Sequence, residues 1–68
     1  MITVLLWECR EERHMSLREL AEHSGISKST LQRLECGKRS PTLEQLDRIA
    51  NALNISIAQL YKWHKSNG

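Results

Sequence analysis

The sequence predicts an all-α fold: five short helices in one compact domain, with a helix-turn-helix at its centre over about residues 17–36. Three observations carry this. Ser16 with Glu19, Thr42 with Gln45 and Ser56 with Gln59 repeat one pattern, in which a hydroxyl and a side chain three residues on satisfy each other's free backbone N–H groups at a helix start. The apolar residues after each cap recur at helical spacing. Alternation with a period of two is nowhere long enough to suggest a strand.

The first helix is expected to start from a Thr3 cap and run to about Arg13, with Leu5, Leu6 and Cys9 inward and Glu8, Glu11 and Glu12 outward. His14 then takes the left-handed exit, a place more often given to Gly or Asn. Ser16 caps the second helix, which begins at Leu17, buries Leu17, Leu20 and Ala21, and ends at Gly25, where no Cβ opposes positive φ. Ile26 plugs the turn. Ser27 caps the third helix, Lys28 to Cys36, with Leu31 and Leu34 three apart on its inner side. At about 100° per residue, Lys28, Ser29, Gln32, Arg33 and Cys36 fall within roughly 140° of arc on the other side. After a loop from Gly37 to Pro41, Thr42 caps a fourth helix carrying Leu43, Leu46, Ile49, Ala50 and Leu53, with its end at Asn54. Ser56 caps a last short helix anchored by Ile57, Leu60 and Tyr61. The tail from 62 to 68 is expected to fray.

A chain of 68 residues buries only about 60% of its unfolded surface, which suits a small groove reader better than a large catalytic cleft. The net charge of +2 announces no partner, but its distribution does. Between positions 28 and 39 stand Lys28, Arg33, Lys38 and Arg39 against the single acid Glu35, while the other acids gather elsewhere. Such a local basic face can hold phosphate. Cys9 and Cys36 form no C-x-x-C pair and no disulfide framework, so a reducing cytoplasm is expected. Cys9 reads as a small buried hydrophobe and Cys36 as a thiol on the polar side of the third helix. The run from Ile2 to Trp7 is too short to cross a bilayer and lacks the features of a leader. His14, His23 and His64 show no metal-ligand spacing with the cysteines, and no nucleophile with its base or phosphate-cradling loop appears. Neither a metal, a cofactor nor an enzymatic activity is expected.

With these residues in place the chain resembles the phage-repressor and Cro-like (XRE-type) helix-turn-helix family of prokaryotic transcription regulators. The resemblance rests on Arg10-Glu11-Glu12, on Leu17-x-x-Leu20-Ala21 with Gly25 four residues on, on ISKSTLQRLE from Ile26, and on GKRSPTLEQL from Gly37. It implies a lambda-repressor-like domain whose third helix lies in the major groove of double-stranded DNA. Lys28, Ser29, Gln32 and Arg33 then stand at the base-facing positions; lysine and arginine suit guanine and glutamine suits adenine. Arg10, Ser27, Gly37, Lys38 and Arg39 are the expected phosphate contacts, including the backbone N–H groups around Gly37 and Lys38. The resemblance also implies an ion pair between Arg10 and Glu35 that orients the reading helix, a use suited to arginine's planar fork.

Three residues depart from the family's pattern. Leu17 stands where many relatives have a phosphate-binding glutamine, Cys36 where many have asparagine, and His14 at the usual exit glycine. The resemblance implies a homodimer on a two-fold operator, joined through Ile57, Ala58, Gln59, Tyr61 and Trp63. The expected function is a sequence-specific regulator acting as a repressor. The alternative is an antitoxin-like or adaptor module that uses the same fold to grip a protein, a reading prompted by Leu17, Cys36 and the tryptophans Trp7 and Trp63.

Overall fold

The computed structural model describes residues 2–65. Along the chain come β1 (Ile2–Val4), α1 (Leu6–Glu12), α2 (Leu17–Ser24), α3 (Lys28–Glu35), α4 (Leu43–Leu53), α5 (Ile57–Leu60) and β2 (Tyr61–Trp63). Five helices appear where five were expected. The two strands were not expected, so the fold is mostly helical rather than strictly all-α.

The strands pair antiparallel, with Ile2 opposite Trp63, Thr3 opposite Lys62 and Val4 opposite Tyr61. Residues directly opposite share a face, so Ile2, Val4, Tyr61 and Trp63 point one way and Thr3 and Lys62 the other. Thr3 is therefore a strand residue, not a helix cap. The chain enters α1 through Leu5, which makes no side-chain cap; its N–H donates to the Leu60 carbonyl at 2.7 Å and its own carbonyl accepts from Cys9 N–H. A tertiary bond to α5 thus replaces the local cap. Tyr61 leaves the helix for β2, and Lys62 and Trp63, expected in a frayed tail, belong to the same strand. The rest of that tail, 66–68, lies outside the described residues.

The other helix boundaries follow the local chemistry. Ser16 Oγ accepts from Glu19 N–H at 3.1 Å while Ser16 N–H donates to the Glu19 carboxylate, and Thr42 with Gln45 repeats the exchange. Each such cap stabilises a helix start by about 1 kcal/mol. At α5 the Gln59 Oε1 accepts from Ser56 N–H at 3.0 Å. The left-handed exits fall at His14 (φ 52°), Gly25 (φ 74°), Gly37 (φ 75°) and Asn54 (φ 57°). At His14, Gly37 and Asn54 the chain closes with the paired 6→1 and 5→2 bonds that occupy the last free helix carbonyls.

Leu6, Leu20, Leu31, Leu34, Ile49, Leu53 and Leu60 are fully enclosed, so every helix contributes to one core. Val4 extends that core into the sheet, and Cys9, Ile26, Leu46 and Ala50 complete it. Leu43, expected inside α4's apolar stripe, is 78% exposed. It is the first residue of α4, and the core begins one turn later, at Leu46.

Candidate nucleic-acid interface

The third helix is presented by what lies behind it. Leu31 and Leu34 are buried in the core, which turns the opposite side outward, and Lys28, Ser29, Gln32 and Arg33 are all solvent-exposed. The expected base-facing set therefore shares one exposed face.

The turn from α2 to α3 is fixed locally. Gly25 N–H donates to Ala21 carbonyl at 3.0 Å in the left-handed conformation, and a Cβ there would meet only the Arg48 guanidinium at 3.6 Å, so backbone conformation rather than space demands glycine. Ser24, which the sequence reading passed over, is buried; its Oγ accepts from Ile26 N–H at 3.2 Å and ties the turn to the end of α2. A buried hydroxyl needs such a partner. Its only signal in the sequence was a serine immediately before the glycine.

Arg10 and Glu35 form the expected pair. Arg10 Nε lies 3.2 Å from Glu35 Oε2 and Nη2 lies 3.0 Å from Oε1, a bidentate contact between side chains only 12% and 14% exposed. A third donor, Nη1, reaches the Met15 carbonyl at 2.9 Å. One guanidinium thus joins α1, the α1–α2 turn and the end of α3. Two of its five hydrogens remain outside these bonds, with Nη1 3.9 Å from the Glu11 carboxylate. Arg13 gives a second tie that the sequence did not disclose, its Nε donating to the Leu53 carbonyl at the end of α4.

The expected backbone contacts at Gly37 and Lys38 need correction. Gly37 N–H donates to Leu34 carbonyl at 3.2 Å and Lys38 N–H to Arg33 carbonyl at 3.0 Å, so both amides close α3 instead of facing outward. Cys36, the expected last residue of α3, is the capping residue just beyond it and is exposed. Ser27 is likewise committed: its Oγ accepts from Thr30 N–H and donates to Thr30 Oγ1 at 2.8 Å. The exposed side chains of Lys38 and Arg39 are the free cations of this loop. Leu17 is half-buried against the core, which accounts for an apolar residue at that helix start.

The five residues expected at a dimer surface divide between two elements. Ile57 packs against the core, Ala58 and Gln59 are exposed on α5, and Tyr61 and Trp63 stand on β2. Among the described residues no group of three or more His, Cys, Asp or Glu could hold a metal, and no helix is long and apolar enough to cross a membrane.

A polar helix exposed along one side, backed by core leucines and locked by a glycine turn to the helix before it, defines a helix-turn-helix module of the transcription-regulator class. Residues 8–60 match the model of the helix-turn-helix family, and the chain belongs to that family. It is 46% identical over 52 residues to the uncharacterised HTH-type transcriptional regulator Rv0474 of Mycobacterium tuberculosis, covering 76% of this chain and 37% of that protein. The cryptic phage CTXphi transcriptional repressor RstR of Vibrio cholerae is 30% identical over 67 residues, 98% of this chain and 60% of its own length. In three dimensions the restriction-modification controller protein C.AhdI of Aeromonas hydrophila is similar, with a TM-score of 0.77, 31% identity, and 79% of this chain and 82% of that one covered. The chain thus spans a little over a third of the Mycobacterium relative it matches.

Proposed function

We propose that this chain is a sequence-specific, double-stranded-DNA-binding regulator that inserts α3 into the major groove. The observation that carries the reading is the exposed set Lys28, Ser29, Gln32 and Arg33 on a helix whose other side is fixed by Leu31, Leu34 and the Arg10–Glu35 pair. Lys28 and Arg33 donate to guanine O6 and N7, Gln32 pairs with adenine, and Ser29 reads either weakly. Lys38 and Arg39, with the remaining Arg10 donors, meet phosphates and set register. The chain acts by binding and not by catalysis, in the cytoplasm. Repression is supported by the similarity to a protein named as a phage repressor.

The protein binds as a homodimer through the region of Ile57, Ala58, Gln59, Tyr61 and Trp63. Its half-sites lie about one helical turn, roughly 34 Å, apart. Selection of bound duplexes from a random pool tests both points. A recovered two-fold sequence whose affinity falls steeply with salt and resists excess random DNA is the expected outcome. Equal affinity for all duplexes excludes the specific-regulator reading.

A further inference from the structure

An open groove of about 880 Å³ lies between the sheet, the loop after α3 and the first turn of α4. Its apolar walls come from two sides: Ile2 stands opposite Trp63 in the strand register, and Leu43 and Leu46 line the groove from α4. Leu46 is buried, whereas Ile2, Leu43 and Trp63 are three of the four large apolar side chains that the domain leaves exposed. The loop after α3 supplies polar lining at Cys36, Arg39 and Ser40. A volume of this order, mostly apolar walls and a few polar groups are the general features of a small-molecule site.

Charge narrows what fits. Two charged side chains line the groove, Glu35 and Arg39. Both carboxylate oxygens of Glu35 are held by Arg10, so Glu35 is already committed. Arg39 is exposed and forms no ion pair among the described residues. The groove thus presents one uncommitted positive charge together with exposed apolar walls. A cation meets no available acid there, a polyanion meets a single lining guanidinium, and an uncharged apolar molecule leaves that guanidinium unused.

We propose that this groove is a binding site for a small amphipathic monoanion, a hydrocarbon body carrying one carboxylate, with the body against Ile2, Leu43 and Trp63 and the carboxylate on Arg39. A guanidinium's planar fork matches a carboxylate in two parallel hydrogen bonds. The body removes from water apolar surface that the core does not use. Of the residues proposed for the dimer only Trp63 lines this groove, so the two surfaces are largely separate. The site rests on the groove itself. Its effect on DNA rests on the phosphate contact proposed above for Arg39: a carboxylate on that guanidinium competes with phosphate and leaves the exposed face of α3 untouched.

The test uses Trp63 as its own reporter. The chain has two tryptophans, so Trp7→Phe leaves Trp63 as the single one. In that background ω-bromodecanoate, ω-bromodecanol and ω-bromodecyltrimethylammonium are titrated at fixed ionic strength, with quenching of the indole by bromine as the readout. Saturable quenching by the bromocarboxylate is expected at concentrations on the order of 100 µM. The order of the three compounds is the decisive result. Partition onto an apolar surface alone favours the alcohol, because a charged group resists desolvation. A guanidinium partner reverses that order, by roughly two- to fivefold for an exposed pair. Arg39→Gln should give the advantage back to the alcohol, and Leu43→Glu should weaken the carboxylate about tenfold by removing a wall and adding a like charge. Both positions are exposed, and circular dichroism checks that the variants keep the fold. Quenching that rises without saturating, an alcohol that binds more tightly than the carboxylate before Arg39 is changed, or a carboxylate affinity that Arg39→Gln leaves alone overturns the site. Saturating decanoate should also weaken every duplex alike, as expected for Arg39→Ala. If the compounds bind in the expected order and DNA affinity does not move, the site stands and the phosphate contact of Arg39 falls instead.

Discussion

Arg10 holds both carboxylate oxygens of Glu35 with one edge of its guanidinium and the Met15 carbonyl with another donor, so the reading helix is indexed to α1 and to the following turn at once. Both side chains are nearly enclosed, and removing one leaves the other charge buried without its partner. Arg10→Met is expected to cost about 2–4 kcal/mol in urea unfolding. Arg10→Lys should recover little of it, because an ammonium cannot span the same two oxygens and a carbonyl. The double variant Arg10→Met, Glu35→Leu should be more stable than Arg10→Met alone. If all three unfold at the wild-type midpoint, the pair contributes no rigidity to α3.

Gly25 and Gly37 make a matched comparison of backbone demand. Both sit near φ 75°, with only the Arg48 guanidinium within 4 Å of a Cβ at Gly25 and nothing at Gly37. Alanine at either position should cost about 1–2 kcal/mol from the left-handed conformation alone. Asparagine, which tolerates that region, should cost less. His14 and Asn54 already show this chain using non-glycine residues there. Thermal melts of the four variants test it, and a much larger loss at Gly25 would mean that the turn also rejects the side chain sterically.

Most of the helical frame was legible in the sequence because its signals are local. Ser16, Thr42 and Ser56 announce starts through partners three residues away, and Gly25 and Asn54 announce ends through their own conformational freedom. The strands left no such mark. Ile2-Thr3-Val4 and Tyr61-Lys62-Trp63 each alternate over three residues only, and they pair across nearly the whole chain. Their β-branched and aromatic content was the one hint. The exposed face of α3 could be read from angular position, whereas the commitment of the Gly37 and Lys38 amides depends on how the helix closes. Leu43 shows the limit of periodicity: it lies on the apolar stripe, but the stripe outruns the core by one turn.

The two thiols should behave oppositely. Cys36 is exposed and Cys9 is buried, so a maleimide at neutral pH should label one thiol per folded chain. Burial pushes the Cys9 thiol above its ordinary value, and the charge of Glu12 adds to it. Its Sγ also donates to the Gln59 carbonyl at 3.4 Å. In the unfolded chain Cys9 ionises from about pH 8.5, while in the folded chain it ionises only at higher pH. The folded state therefore holds more protons above that pH, and the thiol's contribution, complete below it, is lost as pH rises through the folded value. Urea midpoints between about pH 7 and 10 should fall more for wild type than for Cys9→Val. Parallel slopes in the two proteins would show that Cys9 titrates alike in both states.

The proposed roles of Arg33 and Arg39, base reading and phosphate gripping, can be separated by substitution. Arg33 stands on the exposed face of α3 with Gln32, one turn after Ser29, whereas Arg39 follows the closed end of the helix beside Lys38. A guanidinium on the helix face can meet a guanine edge with two hydrogen bonds, and its loss should cost about 1–3 kcal/mol against the preferred sequence while leaving random duplexes nearly unaffected. On the proposed reading the guanidinium in the loop meets phosphate, so Arg39→Ala should weaken every duplex alike and reduce the slope of log affinity against log salt by about one. Because both substitutions remove one positive charge, the comparison holds net charge fixed and isolates position. Titrations of each variant with the selected site and with a scrambled duplex, at several salt concentrations, provide the readout. Identical losses on both duplexes for Arg33→Ala would move that residue from the bases to the backbone and leave Lys28 and Gln32 as the reading pair.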